Sequence, residues 1–169
     1  MTLPDLLGSA VSSRPVQPAL ECGGRTYTFT DIDRRSARVA QWLHMRGFRP
    51  GDRLAAYLEN RVEFIDLFLA CAKAGVIFLP INILYRGREV SHIVSDARPK
   101  AIVASAPVPE QPSFVDVAEI AAVAEENEAG STFPRKVLPA FFYFPIFTNT
   151  TPWRGTMARS SFVTRPRSF

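Results

Sequence analysis

The sequence predicts an α/β fold, a partial parallel sheet with flanking helices, followed by an irregular tail. Three observations predict it. Apolar runs of strand length recur at 53–58, 76–80 and 100–104, and segments with apolar residues at helical spacing stand between them. One run, Val76-Ile77-Phe78-Leu79-Pro80, is uninterrupted, as in strands covered on both faces. Beyond residue 128 the composition changes and the alternation stops.

Taken in order, Leu3-Pro4-Asp5-Leu6-Leu7 predicts one or two helical turns, and 12–18 reads as a Pro/Ser loop. The β-prone runs 19–22 and 25–29 flank Gly23-Gly24, two residues that tolerate positive φ, which predicts a hairpin. Thr30 and Asp33 occupy capping-box positions at the start of a helix. Its apolar face is Ile32, Ser36, Val39, Ala40 and Leu43, its solvated face carries Arg34, Arg35 and Arg38, and Gly47 stops it. Pro50-Gly51-Asp52 turns the chain into the strand 53–58. Asn60 and Glu63 repeat the cap-and-box pattern ahead of a helix apolar on most sides (Phe64, Leu67, Phe68, Cys71), which Gly75 ends. A third helix holds Glu89, Val90, Ile93 and Val94, a fourth strand spans 100–104, and an acidic amphipathic helix is expected over 114–128. Strand–helix repetition of this kind implies right-handed crossovers between parallel strands.

The chain has 169 residues, 47% hydrophobic and 21% charged, enough for one globular domain with a real core. The longest apolar stretch, 137–147, is too short to cross a bilayer and contains two prolines. No basic leader with an apolar core opens the sequence, so no export signal is expected. Cys22 and Cys71 lie far apart, and free thiols in a reducing cytoplasm are expected, with Cys71 a small core hydrophobe. The net charge of +4 averages two unlike parts. Residues 1–128 hold 14 Lys+Arg against all 16 Asp+Glu, a balance of −2, whereas 129–169 hold 6 Lys+Arg and no acid, a balance of +6. The tail also carries 7 of the 13 Phe. A boundary is therefore expected between a segment 1–128 and a Phe/Pro/Arg-rich tail 129–169 that is disordered or poorly packed.

Several familiar catalytic patterns are missing from the sequence. His44 and His92 have no Cys or carboxylate at ligand spacing, so no metal site is expected. No G-x-S-x-G, G-x-G-x-x-G or G-x-x-x-x-G-K-[ST] occurs, and Asp31 and Asp33 are explained by helix capping. The residues themselves point to no catalytic, cofactor-binding or metal-binding site. The basic tail raises nucleic-acid binding, but its six cations are spread over 41 residues without a binding module, so no nucleic-acid partner is expected.

The order of motifs nevertheless resembles one family. Gly24-Arg25-Thr26-Tyr27-Thr28-Phe29-Thr30-Asp31-Ile32 is similar to the first hairpin and helix start of the AMP-forming acid–thiol ligases, the adenylate-forming acyl-CoA synthetases. Gly47-Phe48-Arg49-Pro50-Gly51-Asp52-Arg53-Leu54-Ala55, Glu59-Asn60-Arg61-Val62-Glu63-Phe64, the stretch 70–82 around Lys73-Ala74-Gly75-Val76 and Pro80-Ile81-Asn82, and the stretch 89–100 follow in the same order. The resemblance covers residues 16–105.

It implies the N-terminal portion of a large two-domain enzyme that joins a carboxylic acid to AMP with Mg-ATP and passes the acyl group to coenzyme A. A carboxylate is a weak electrophile, and adenylation gives it a leaving group before the thiol attacks. The full-length family thus implies ATP, Mg2+ and coenzyme A, whereas no cofactor is expected for this chain. The family's Ser/Thr/Gly loop ending in Lys and its adenylation Lys have no match here. Thr148-Asn149-Thr150-Thr151-Pro152-Trp153-Arg154-Gly155 echoes the loop but lacks the inner glycines and the Lys. A reading-frame change between 128 and 135 accounts for the tail, with splicing or gene fusion as other sources. The expectation is an inactive fragment, with a non-catalytic interaction module on the same scaffold as the alternative. Its sheet, cut off midway, would leave strands such as 76–79 without neighbours and prone to aggregate. The acid (malonate, fatty or aryl) and the oligomeric state stay open.

Overall fold

The computed structural model describes residues 1–108 and 113–126. Helix α1 (Leu3–Ser13) runs three turns, not one or two. The expected loop at 12–18 therefore begins inside it: the Ser12 and Ser13 hydroxyls donate to the Gly8 and Ser9 carbonyls, and the backbone ladder runs on to the Arg14 N–H, which donates to Ala10 O at 2.8 Å. Strands β1 (Pro18–Cys22) and β2 (Arg25–Thr28) form the expected antiparallel hairpin, with Gly23 and Gly24 at φ of 59° and 75°.

Helix α2 (Phe29–Met45) is capped by Thr28 and Asp31, not by Thr30 and Asp33. Thr28 ends strand β2 in extended geometry, so its Oγ1 accepts from the Asp31 N–H at 3.2 Å while the Asp31 carboxylate accepts from the Thr28 N–H at 2.9 Å. Thr30 instead donates its hydroxyl proton to the Pro15 carbonyl at 2.9 Å, tying the helix start to the segment after α1.

Strand β3 (Arg53–Tyr57) leads into α3 (Val62–Ala74). The Asn60/Glu63 cap does not form. The helix starts one residue later than the pattern requires, so Arg61 is the N-cap without a side-chain cap bond, and Glu63 accepts from Arg61 Nε at 2.6 Å. Gly75 ends α3 at φ 69°, and an added Cβ would lie 3.2 Å from Pro50 Cβ. Gly75→Ala should therefore cost about 1–2 kcal/mol, the left-handed penalty for an L-residue, read as a lowered urea midpoint with unchanged m.

Strand β4 (Ile77–Pro80), helix α4 (Gly87–Ala97) and strand β5 (Ala101–Ala104) follow. The helix expected over 114–128 is instead strand β6 (Phe114–Asp116) and helix α5 (Val117–Glu125). Phe114 and Val115 are β-prone and pair in parallel with Ile102 and Val103, and Asp116 then caps α5 by accepting from the Ala118 N–H at 2.8 Å. Residues 127 and 128, like the tail and its phosphate-loop echo, lie outside the described residues.

The four-stranded sheet has the order β4-β3-β5-β6, all parallel, as the strand–helix alternation predicts. Strand alternation sends Leu54, Ala56, Val103 and Val115 to a face covered by α2, α3 and α5, through Val39, Leu43, Leu67 and Ile120. Ala55 and Ile102 face α4 through Val90 and Val94. β5 is buried at every position. β4 is an edge among the described residues, as the expectation of a sheet cut off midway had it, but it is not the strand covered on both faces that its apolar run suggests, since Ile77 is 49% exposed. The Ile77 N–H donates to Asp52 O at 2.7 Å and the Ile81 N–H to Ala56 O at 2.9 Å. The two-residue period then turns Phe78 and Pro80 away from β3, where the missing proline N–H costs the ladder nothing.

The solvated face assigned to Arg34, Arg35 and Arg38 divides. Arg34 is exposed, whereas Arg35 is 5% exposed and Arg38 donates to the Ala124 carbonyl at 2.9 Å. Burial of Arg35 is possible because Asp66, fully buried on α3, accepts from Arg35 Nη2 at 2.8 Å and Nε at 3.1 Å.

Candidate functional site

In parallel sheets, ligands bind beyond the carboxyl ends of the strands. Here the segments leaving β3 and β4 border an open cleft of about 740 Å³. Leu58, Glu59 and Asn60 follow β3, Ile81 to Leu84 follow β4, and Phe64 of α3 closes one wall. Two of these lining residues, Leu58 and Ile81, are buried. One rim is pinned by a tyrosine: Tyr57 donates its hydroxyl proton to the Tyr85 carbonyl at 2.6 Å. Asn82 closes a turn on the same loop by accepting from the Leu84 N–H at 3.0 Å.

The chemistry of this lining is limited. Its single charged side chain is Glu59, beside Asn60, Asn82 and apolar groups. Such a wall accommodates an uncharged apolar group and repels a phosphate or carboxylate. It contains no nucleophile–base pair and no glycine-rich cradle of backbone amides, so the described residues do not fit the phosphates of ATP. Among the described residues no group of three or more His, Cys, Asp or Glu could hold a metal ion, and no helix is long and apolar enough to cross a membrane.

His44 and His92 are both exposed and belong to different helices, α2 and α4. Cys71 is a core residue, as its place in the apolar face of α3 predicts, and burial pushes its thiol up to about 12, so it carries no thiolate at neutral pH. Asp31 is the cap described above, and its hydrogen bonds from Thr28 hold the carboxyl below the usual range.

One ionic cluster escaped sequence reasoning. Tyr27 is flanked by the guanidinium groups of Arg25 and Arg35, at 5.0 and 5.2 Å from the ring centroid, and both cations reach Glu125 of α5. Burial pushes the Asp66 carboxyl up to about 6, although Arg35 pulls the other way. The cluster joins the hairpin, α2, α3 and α5 and contributes no residue to the cleft lining. The only sequence signal for it was an acid, Asp66, inside the otherwise apolar run 64–72.

A family profile described as "AMP-binding enzyme" matches residues 8–140. The fatty acid–[acyl-carrier-protein] ligase ScoC of Streptomyces coeruleorubidus is 37% identical over 83 residues, covering 49% of this chain and 16% of that protein. A feruloyl-CoA synthase of Amycolatopsis sp. is 33% identical over 89 residues, covering 53% of this chain and 18% of that one. The chain thus spans less than a fifth of the length of these relatives. Among solved structures, VinN with L-aspartate superposes with a TM-score of 0.69 at 22% identity, over 74% of this chain and 34% of its own, which shows a shared fold.

Proposed function

The chain belongs to the AMP-binding enzyme family, and from that premise we propose that it is the N-terminal portion of an AMP-forming carboxylic acid–CoA ligase, inactive as a 169-residue polypeptide. The observation that carries this reading is the family match over residues 8–140, in a chain whose sequence contains no Lys-ended phosphate loop. In the reaction, the acid's carboxylate is joined to AMP with loss of pyrophosphate, and a thiol then displaces AMP. One relative is named for an acyl-carrier-protein acceptor and another for coenzyme A. We favour coenzyme A as acceptor. The apolar cleft beyond β3 and β4 suits the uncharged part of an acid, not its carboxylate.

The charge shift near residue 128 favours a boundary there, while the family match itself runs 12 residues further, to residue 140. Free Cys22 and Cys71 fit a reducing compartment such as the cytoplasm. Purified full chain should give ATP–pyrophosphate exchange at the no-enzyme background with short-chain, fatty and aryl acids. Exchange that scales with protein concentration and saturates with one acid would overturn the inactive-fragment reading.

A further inference from the structure

We propose that the end of the sheet where β3 and β5 begin is a docking surface for the acidic face of a partner protein. It lies at the opposite end of the parallel strands from the cleft, so it goes beyond the ligase reading and does not depend on it. The strand register sets Arg53 beside Lys100, whose N–H donates to Arg53 O at 2.8 Å. The Lys100 ammonium donates to Gly47 O at 2.6 Å and to Asp52 Oδ2 at 2.8 Å. The same Asp52 oxygen accepts from the Arg49 N–H at 2.8 Å. Arg46 adjoins this knot through Gly47, and Arg98 through Pro99. Cations thus gather at one end of a segment, residues 1–128, whose 14 Lys+Arg are outnumbered by 16 Asp+Glu.

Two of these cations are used within the fold, Lys100 by Asp52 and Arg46 by Glu119. Arg49, Arg53 and Arg98 are exposed, and their guanidinium groups make no hydrogen bond or ion pair with another described residue. Arg98 is also the one non-glycine residue at positive φ among the described residues, at 47°, whereas glycines fill the other such positions. An L-residue is strained there. A cation at the end of α4 recovers part of that through the helix dipole. Arg49 in its turn and Arg53 at a strand start have no such compensation. The occupant follows from the residue types. Four of the cations are Arg, and their exposed apolar neighbour is Met45, 49% accessible. Arg and Met are enriched where proteins meet proteins, Lys is depleted there, and a guanidinium takes a carboxylate through two parallel bonds. Single-stranded nucleic acid needs exposed rings to stack on, but Trp42 and Phe48 at this end are buried. A lipid surface needs more apolar area than one methionine. An acidic helix with one apolar residue among its carboxylates matches both features.

The test titrates the full chain into a fluorescein-labelled helical peptide, Glu-rich with a central Leu, and reads anisotropy. Saturable binding that weakens as salt is raised is expected. Arg49→Glu with Arg53→Glu should weaken it about tenfold. Arg98→Gly should weaken it about threefold and yet raise the urea midpoint, because glycine relieves the strain while removing the charge. A merely structural arginine would not lower binding as stability rises. Arg154→Glu with Arg165→Glu, in the basic tail, should change binding by less than about twofold. Absent binding overturns the proposal, as does a loss in the tail pair equal to that in the Arg49 and Arg53 pair. A DNA duplex or a phosphatidylglycerol vesicle held more tightly than the peptide, and released by the Arg49 and Arg53 pair, would assign the surface to phosphate and overturn it too. If that pair alters the far-UV circular dichroism, Arg49→Gln with Arg53→Gln takes its place, with the same direction expected.

Discussion

Asp66→Ala is expected to destabilise the fold by about 3–5 kcal/mol, because it strands a buried guanidinium. The Asp66 side chain is fully buried, that of Arg35 is 6% exposed, and the carboxylate takes three of the guanidinium's contacts, at 2.8, 3.1 and 3.2 Å. Remove the carboxylate and Arg35 keeps a single 3.4 Å contact with the exposed Glu125 and its position over Tyr27. Replacing both partners by apolar residues, Arg35→Met with Asp66→Leu, should recover most of the loss, since neither ion then has to leave water. Urea denaturation followed by far-UV circular dichroism distinguishes the two. If the double variant is as unstable as the single, the pair holds the fold by more than mutual compensation.

The same pair sets a pH dependence. Burial raises the folded carboxyl of Asp66 from 3.8 to about 6, so the folded state binds this proton more tightly than the unfolded one. Its contribution to stability is therefore fullest below pH 3.8 and declines as pH rises through about 6. Asp66→Asn should remove that decline from a series of urea midpoints taken across this interval. Neighbours on every packed element, Glu63, Arg61, Glu125, Arg25 and Tyr27, stay in place in that comparison.

Trp42→Ala should cost about 3–5 kcal/mol, the usual range for emptying a large aromatic site. Trp42 is 4% exposed in the main core on α2, and its indole N–H donates to the Glu119 carboxylate on α5 at 2.8 Å. Arg46 pairs with the same carboxylate and lies 5.0 Å from the centre of the indole ring. Trp42→Phe keeps much of the packing and loses the donor, so about 1 kcal/mol is expected, because Glu119 is partly exposed and retains Arg46. Denaturation read by circular dichroism checks both values. A loss in Trp42→Phe as large as in Trp42→Ala would make the hydrogen bond, not the packing, the anchor of α5.

Legibility in the sequence followed the range of each signal. The Gly23-Gly24 hairpin, the Gly75 stop, the α2 apolar face and the parallel repeat were readable because each depends on neighbours within a few residues. Both helix caps were misplaced because a box works only in register, and one or two residues of shift reassign the partner. β6 was read as helix because three residues carry too little periodicity to outweigh the helix after them. Of the candidate cleft, Pro80-Ile81-Asn82 and Glu59-Asn60 stood out only as family-like blocks, since nothing local says that two loop segments 20 residues apart share a wall.

The sequence by itself determined the α/β class, the family and the change of character near residue 128, through period, turn chemistry and composition, all properties of local chain. Only the tertiary structure decided that Arg35 is buried and that Ile77 of β4 is half exposed. An arginine on a helix face reads as solvated until a carboxylate 31 residues away is packed against it. An uninterrupted apolar strand reads as covered on both faces until the elements packed on each face are known. Burial belongs to pairs of distant residues, and pairing across the fold is not written in any one segment.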